Sequence, residues 1–361
     1  MPRLDTLHIN ITRACNLGCL FCYARAVRGQ TDQILSVDLL AAVAKDAREL
    51  GARRVILSGG EPLAHRNWRN IARLFDDEDM EVSLATNGTL LTPSVVNFIQ
   101  SLKRPTVSVS VDGDAAIHDS LRASPGAYAR TLRGMDLLKD AGVPFDVNAT
   151  VCRRNLGVIS NLAKISRDFR CVTRLTLLHP NGRGEDLSGD ALELEEIFRL
   201  REFCHILRHG AHLNIFVNLP PLLQYLDEII PSRGSACGWA AAFCGILADG
   251  SVAVCGVADG TPELSAGNLH SQSLKEIWEE SQLFARTRSL RTQDLKGICG
   301  RCPFREFCGG ACRLSAFRID GDLLAPYSLC RRAYDAGYIP EELLLVGGPA
   351  PECSYEFSGE V

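Results

Sequence analysis

The chain has 361 residues, of which 46% are hydrophobic and 23% charged, and a formal net charge of −4 at neutral pH. This is too long for one small module and neither disordered nor collagenous in composition. The charge balance, with no basic run, excludes nucleic acid or an anionic membrane held by bulk electrostatics. No apolar stretch reaches the roughly 18 residues of a membrane span, and no charged segment followed by an apolar one opens the chain, so a cytoplasmic protein acting on peptides or small molecules is expected.

From residue 4 to about 216 short β-rich runs alternate with helical patterns, which predicts repeated βα units around a parallel sheet. The runs are 6–12, 54–58, 82–86, 106–111, 145–151 and 174–178. Between them, 36–50 reads as a helix capped by Ser36, 93–102 as one capped by Thr92 with Pro93 at its first position, and 131–141 as one ending at Gly142. Six such units predict an incomplete α/β barrel over 1–217, in which chemistry belongs at the C-terminal strand ends. A linker at 218–235 leads to a small Cys-rich domain at 236–335, interrupted by one helix at 273–290, and a Pro/Gly-rich tail covers 336–361.

Fifteen cysteines are too many for disulfides in a reducing compartment and point to metal. Cys15, Cys19 and Cys22 follow the first strand within eight residues. Three thiolates suit a zinc site with a fourth ligand, or a [4Fe–4S] cluster with one iron left open for substrate or cofactor. Phe21 and Tyr23 flank Cys22 and are placed to shield a cluster and border an adenine. Eight further cysteines, Cys237, Cys244, Cys255, Cys299, Cys302, Cys308, Cys312 and Cys330, match two four-ligand sites, either zinc or iron–sulfur. Cys152, Cys171, Cys204 and Cys353 read as small hydrophobes.

The trio resembles the CxxxCxxC motif of the radical S-adenosylmethionine (SAM) enzymes, and Gly59-Gly60-Glu61-Pro62 after the second strand is similar to that family's GGEP motif. The resemblance implies that Gly59, Gly60 and Glu61 bind the SAM amino group. Ser110 and Asp112 would contact its ribose and carboxylate, Asn148 and Thr150 the ribose, and Arg122 the carboxylate. The C-terminal series resembles the SPASM domain, down to Gly250 five residues before Cys255. That likeness implies two auxiliary [4Fe–4S] clusters, one on Cys237, Cys244, Cys255 and Cys312, the other on Cys299, Cys302, Cys308 and Cys330. With the SAM-binding cluster the expected total is three.

The function so implied is a radical SAM oxidoreductase. SAM is reductively cleaved to a 5′-deoxyadenosyl radical, a hydrogen atom is taken from the substrate, and the auxiliary clusters accept an electron. A reductase, ferredoxin or flavodoxin would supply the reducing electron. Peptide or protein side chains are the expected substrates; the barrel starts almost at the first residue, without the leader-binding domain of many peptide maturases, which weakens this reading, and a separate leader-binding protein could serve as partner. Oxidative decarboxylation of tetrapyrrole propionates in haem or haem d1 formation is the alternative, and a non-enzymatic zinc protein the alternative of another class. His179 and Arg183, after the sixth strand, are candidates for a proton-transfer group and a substrate carboxylate clamp.

Overall fold

The structure, a computed structural model, describes residues 3–29, 31–229, 237 and 241–345. Strand β1 (Thr6–Thr12) is followed by a two-residue ladder, β2 (Ala14–Cys15) with β3 (Val27–Arg28). Then come β4 (Arg54–Gly59), β5 (Glu81–Thr86), β6 (Pro105–Ser110), β7 (Phe145–Val151), β8 (Val172–Leu177) and β9 (Ile215–Val217). β1 and β4 to β9 pair in that order, each parallel to the next, so every return to the sheet requires a crossover. All six sequence-predicted runs are strands here, and β9 is a seventh.

Helix starts follow their caps. Val37–Glu49 begins at Ser36, whose Oγ accepts from the Leu39 N–H at 3.2 Å. Pro93–Gln100 begins at Thr92, whose Oγ1 accepts from the Val95 N–H at 3.3 Å. The expected helix at 131–141 belongs to a longer one, Ala127–Asp140, because the good helix formers Ala127, Ala129 and Arg130 extend it back to Gly126, at φ +72°.

Strand alternation gives the sheet two unlike faces. Leu7, Ile9, Leu57, Leu84, Val109 and Val147 are all buried on one. The opposite face carries His8, Asn10, Ser58, Ser83, Ser108 and Asn148. A closed barrel fills its interior with branched aliphatics; this one lines it with polar groups that bond one another. Ser108 Oγ donates to Asp146 at 2.7 Å and Thr176 Oγ1 to Asn148 at 3.1 Å.

The far edge of β1 is also covered. β10 (Phe243–Ile246) runs parallel to it, pairing Leu7 with Cys244, and β11 (Ser251–Ala253) and β12 (Ser265–Asn268) extend the sheet antiparallel to ten strands. Covering β1 removes an open edge beside the Cys trio. The described residues therefore fall into two compact units, 3–218 with 241–289, and 219–229 and 237 with 290–345. Residues 241–289 lie in the same compact unit as 3–218.

The single helix expected at 273–290 is two, Leu274–Glu280 and Gln282–Ser289, separated by Ser281 at ψ 125°. Leu274, Ile277, Trp278 and Phe284 are buried as the pattern predicts. The second unit contributes short helices at Gly297–Arg301, Arg305–Cys308, Arg313–Asp320 and Ser328–Asp335. Cys353 and most of the expected tail lie outside the described residues. No helix of the described residues is long and apolar enough to cross a membrane.

Candidate metal centre

Cys15, Cys19 and Cys22 occupy a loop that leaves the C-terminal end of β1, where a parallel barrel places its chemistry. The loop closes on itself through the β2–β3 ladder and is held from three further directions. Along one side the Gly60 N–H donates to Thr12 O at 2.7 Å and the Glu61 N–H to Ala14 O at 2.8 Å. This contact explains the paired glycines. Gly59 sits at φ +123°, and a Cβ on it would lie 2.3 Å from Thr12 O; one on Gly60 would lie 2.1 Å from Ala14 O.

On the second side the Gly18 N–H donates to Arg122 O and the Leu20 N–H to Leu121 O, while the Arg122 guanidinium lies over the Phe21 ring at 5.1 Å. On the third, the turn after β8 reaches back. The Arg183 N–H donates to Cys22 O at 3.0 Å, its Nε to Cys19 O at 2.9 Å and its Nη1 to Ala26 O at 2.7 Å. Gly182, at φ +58°, brings this turn so near that a Cβ would meet Tyr23 O at 2.4 Å.

Arg183, expected as a substrate clamp, has its Nε and Nη1 on backbone carbonyls beside the thiols and so ties down the loop. Arg183→Ala keeps the main-chain bond to Cys22 O but removes the side-chain bonds to Cys19 O and Ala26 O, at about 1–3 kcal/mol for a carbonyl left unpaired, and is expected to speed iron loss from the N-terminal site under chelator. Unchanged iron retention with a raised substrate KM would restore the clamp role. His179 is half-buried in the same turn, whose Gly184 packs by its carbonyl.

The sulfurs have the environment of metal ligands. Cys15 and Cys19 are buried and Cys22 half-buried. Cys15 Sγ accepts from the Leu17 N–H at 3.4 Å, with Asn87 Nδ2 at 4.0 Å; Cys19 Sγ accepts from Arg122 Nη1 at 3.6 Å, and Cys22 Sγ from the Ala26 N–H at 3.4 Å. Burial, then the Glu61 charge, pushes the Cys15 thiol up to about 12, and burial raises Cys19. As free thiols they stay protonated; a bound metal draws the protons off. Three soft donors with N–H support and no fourth thiol in the loop fit a cluster with one open iron.

The residues expected to contact SAM divide into two groups. Glu61 is buried, accepting from Thr86 Oγ1 at 2.7 Å, the Asn87 N–H at 2.8 Å and the Leu63 N–H at 3.1 Å, and burial raises its pKa to about 7 despite those bonds. Asp112 is fully buried, with one oxygen on Arg122 Nε at 2.6 Å and the other on the Thr150 N–H at 3.0 Å. Asp112 and Arg122, expected as separate SAM contacts, form one buried ion pair that carries Arg122 to Cys19. Burial disfavours the Arg122 charge, yet Asp112 and Cys19 outweigh it and raise its pKa.

Ser110, Asn148 and Thr150 remain on the polar face. Ser110 pairs with Asn148 across β6 and β7, and Thr150 with Thr176 across β7 and β8. Tyr23 turns its hydroxyl to Asn10 Oδ1 at 3.2 Å and Ser58 Oγ at 3.3 Å, tying the loop to that face.

Sequence reasoning missed several members of the site. Asn87 donates to Asn16 Oδ1 at 2.9 Å as well as approaching Cys15. His118 Nδ1 accepts from the Asp112 N–H at 3.2 Å, and burial lowers its pKa to about 4, so the ring is neutral. Thr86-Asn87-Gly88 ends a strand, which was the available signal for Asn87.

The C-terminal cysteines divide between the units. Cys244 is buried in β10, pushed by burial up to about 12, and Gly245 beside it has no room for a Cβ, which would lie 2.1 Å from the Cys255 carbonyl carbon. In the second unit Cys299, Cys302, Cys308 and Cys330 line one pocket, with Ile298 and Tyr327. The Tyr327 N–H donates to Cys299 Sγ at 3.3 Å. Cys312 is half-buried, its Sγ accepting from the Ser315 N–H at 3.4 Å, and Cys237 is exposed. Cys152, Cys171 and Cys204 are buried in the first unit.

The family model of the radical SAM superfamily matches residues 9–155, and that of the SPASM iron–sulfur cluster-binding domain matches 237–303. The AdoMet-dependent heme synthase of Methanosarcina barkeri is 31% identical over 91% of this chain and 97% of its own. The mycofactocin maturase of Mycobacterium tuberculosis is 25% identical over 92% of this chain and 84% of its own. Streptococcus suis SuiB, solved bound to S-adenosylmethionine, shares the fold at a TM-score of 0.72, with 18% identity over 91% of this chain and 78% of that one. The chain belongs to the radical SAM superfamily, and within it to the enzymes that carry a SPASM domain.

Proposed function

We propose that this enzyme oxidatively decarboxylates a propionate side chain of a tetrapyrrole, using one SAM-binding and two auxiliary [4Fe–4S] clusters. The supporting observation is that the heme synthase relative, at 31% identity, matches nearly from end to end of both chains. Modification of a peptide side chain stands second, supported by the maturase relative at 25%. When bound, the cofactors supply a 5′-deoxyadenosyl radical to remove one hydrogen atom and clusters to take one electron, leaving a vinyl group and carbon dioxide.

The chain's own part is placement. Cys15, Cys19 and Cys22 would hold the first cluster, leaving one iron without a protein ligand from this loop. Gly59 and Gly60 lay the GGEP strand end along the loop, and in this reading that strand end meets the SAM amino group. Arg122, anchored by Asp112, brings a fixed positive charge to Cys19. Ser110, Asn148 and Thr150, on the face that Asn10 and Ser58 share, offer hydroxyls and an amide for the ribose and the substrate.

The test is anaerobic turnover of the reconstituted protein with SAM, a reductant and a propionate-bearing metalloporphyrin, followed by mass spectrometry. Vinyl product matching 5′-deoxyadenosine mole for mole is expected. Formation of 5′-deoxyadenosine with every propionate intact would overturn the tetrapyrrole reading and put the peptide reading first.

A further inference from the structure

Arg313 is 2% exposed, on the helix that follows Cys312. Its Nη1 donates to Leu323 O at 3.0 Å and Ala325 O at 2.6 Å, and its Nη2 donates to Gly310 O. Gly310, at φ +81°, makes room for it: a Cβ there would lie 2.7 Å from the guanidinium carbon. Nε is buried without a hydrogen-bond partner. Every acceptor is a neutral carbonyl, and no carboxylate pairs with Arg313 among the described residues.

Its electrostatic neighbours are instead the sulfurs of Cys299, Cys308, Cys312 and Cys330. Three of these line the same pocket as Cys302. Gly310, whose carbonyl accepts from Arg313 Nη2, lines that pocket as well, so the guanidinium is fixed beside it with no carboxylate as countercharge. A guanidinium buried without one is costly, and four thiolates around an iron–sulfur core are an anionic occupant that removes the cost.

We propose that Arg313 is the countercation of the cluster held by Cys299, Cys302, Cys308 and Cys330, and that it raises that cluster's reduction potential so that it serves as an electron acceptor. This rests on the reading of the pocket as a [4Fe–4S] site. Reduction adds one electron to a site already negative, and a fixed cation in a poorly polarisable interior stabilises the reduced form more than the oxidised one. The carbonyl bonds hold the charge in place and prevent its replacement by a wandering side chain. In the family's chemistry such an acceptor takes the electron released when the substrate radical closes to product.

The experiment is a redox titration of the reconstituted full chain followed by electron paramagnetic resonance, with iron and zinc counted in the same samples, on the parent, Arg313→Gln and Arg313→Lys. Gln has only two N–H donors for the three carbonyls and no charge, whereas Lys keeps the charge. With iron retained, Gln is expected to shift the reduction equilibrium of one cluster at least tenfold toward the oxidised form, 59 mV for a one-electron couple, and Lys to stay within that distance of the parent. Equal midpoints for Gln and parent overturn the proposal, as does a Lys midpoint fallen as far as that of Gln. If Gln assembles no cluster, Lys decides: assembly at the parent midpoint supports the charge role, and failure to assemble or a tenfold shift overturns it. A parent with about two zincs per chain in place of the C-terminal iron overturns the cluster reading instead, and the metal count alone separates that failure from the others.

Discussion

Replacing Cys15, Cys19 and Cys22 together with Ala is expected to abolish SAM cleavage and to lower iron from about 12 to about 8 atoms per chain after anaerobic reconstitution. The loop that carries them is tied down by backbone bonds from Gly60 and Glu61, by bonds to Leu121 and Arg122 and by the Arg183 side chain, none of which needs a sulfur. Removing the sulfurs therefore takes away ligands while the barrel keeps its shape. The C-terminal thiols of the pocket in the second unit are untouched. Cleavage persisting at the parent rate would remove the trio from the chemistry. A parent value near four irons with about two zincs would keep the SAM chemistry and strip the C-terminal sites of any redox role.

Gly60→Ala is expected to produce nearly the same loss without touching a ligand. Its Cβ would stand 2.1 Å from Ala14 O and 2.6 Å from the Ala14 carbonyl carbon, a backbone clash that no rotamer relieves. The end of β4 and the start of the cluster loop must then part, breaking the bonds from Gly60 to Thr12 and from Glu61 to Ala14. Overpacking of this kind costs about 1–3 kcal/mol in a well-packed site, and here the displaced backbone carries Cys15. We expect loss of about four irons and of SAM cleavage, with a lowered denaturant midpoint. Gly157→Ala is the matched control, since nothing lies within 4 Å of a Cβ there, and it should hold parent values. Full iron and full cleavage in Gly60→Ala would show that the close approach is not required.

The two effects differ in how visible their causes are in the chain itself. Six strands, the caps at Ser36 and Thr92 and the position of the trio after β1 are short-range features, fixed by side-chain alternation, by one hydroxyl reaching a backbone N–H three residues on, and by spacing within eight residues. The same local grammar placed Gly59, Gly60 and Glu61 at the end of β4 and Ser110 at the end of β6. It could not place the break at Ser281, because the apolar pattern runs through both helices, and in the fold the turn there sets Trp278 against Phe284 with ring centroids 5.2 Å apart.

What a polar side chain does was least legible. Arg183 looks like any loop arginine until the turn after β8 arrives beside Cys19, a residue 164 positions away. Asp112 and Arg122 look like two ligands until both are buried and the short helix between them sets one against the other. The extension of the sheet by β10, β11 and β12 likewise depends on the free edge of β1, which no stretch of sequence near residue 243 encodes. Sequence by itself determined the cysteine spacing, the strand ends beside it and hence the class of chemistry, because those are patterns of neighbours. The tertiary structure alone decided which charge meets which sulfur, because the partner of a buried polar group is whichever distant segment is near enough to relieve its desolvation.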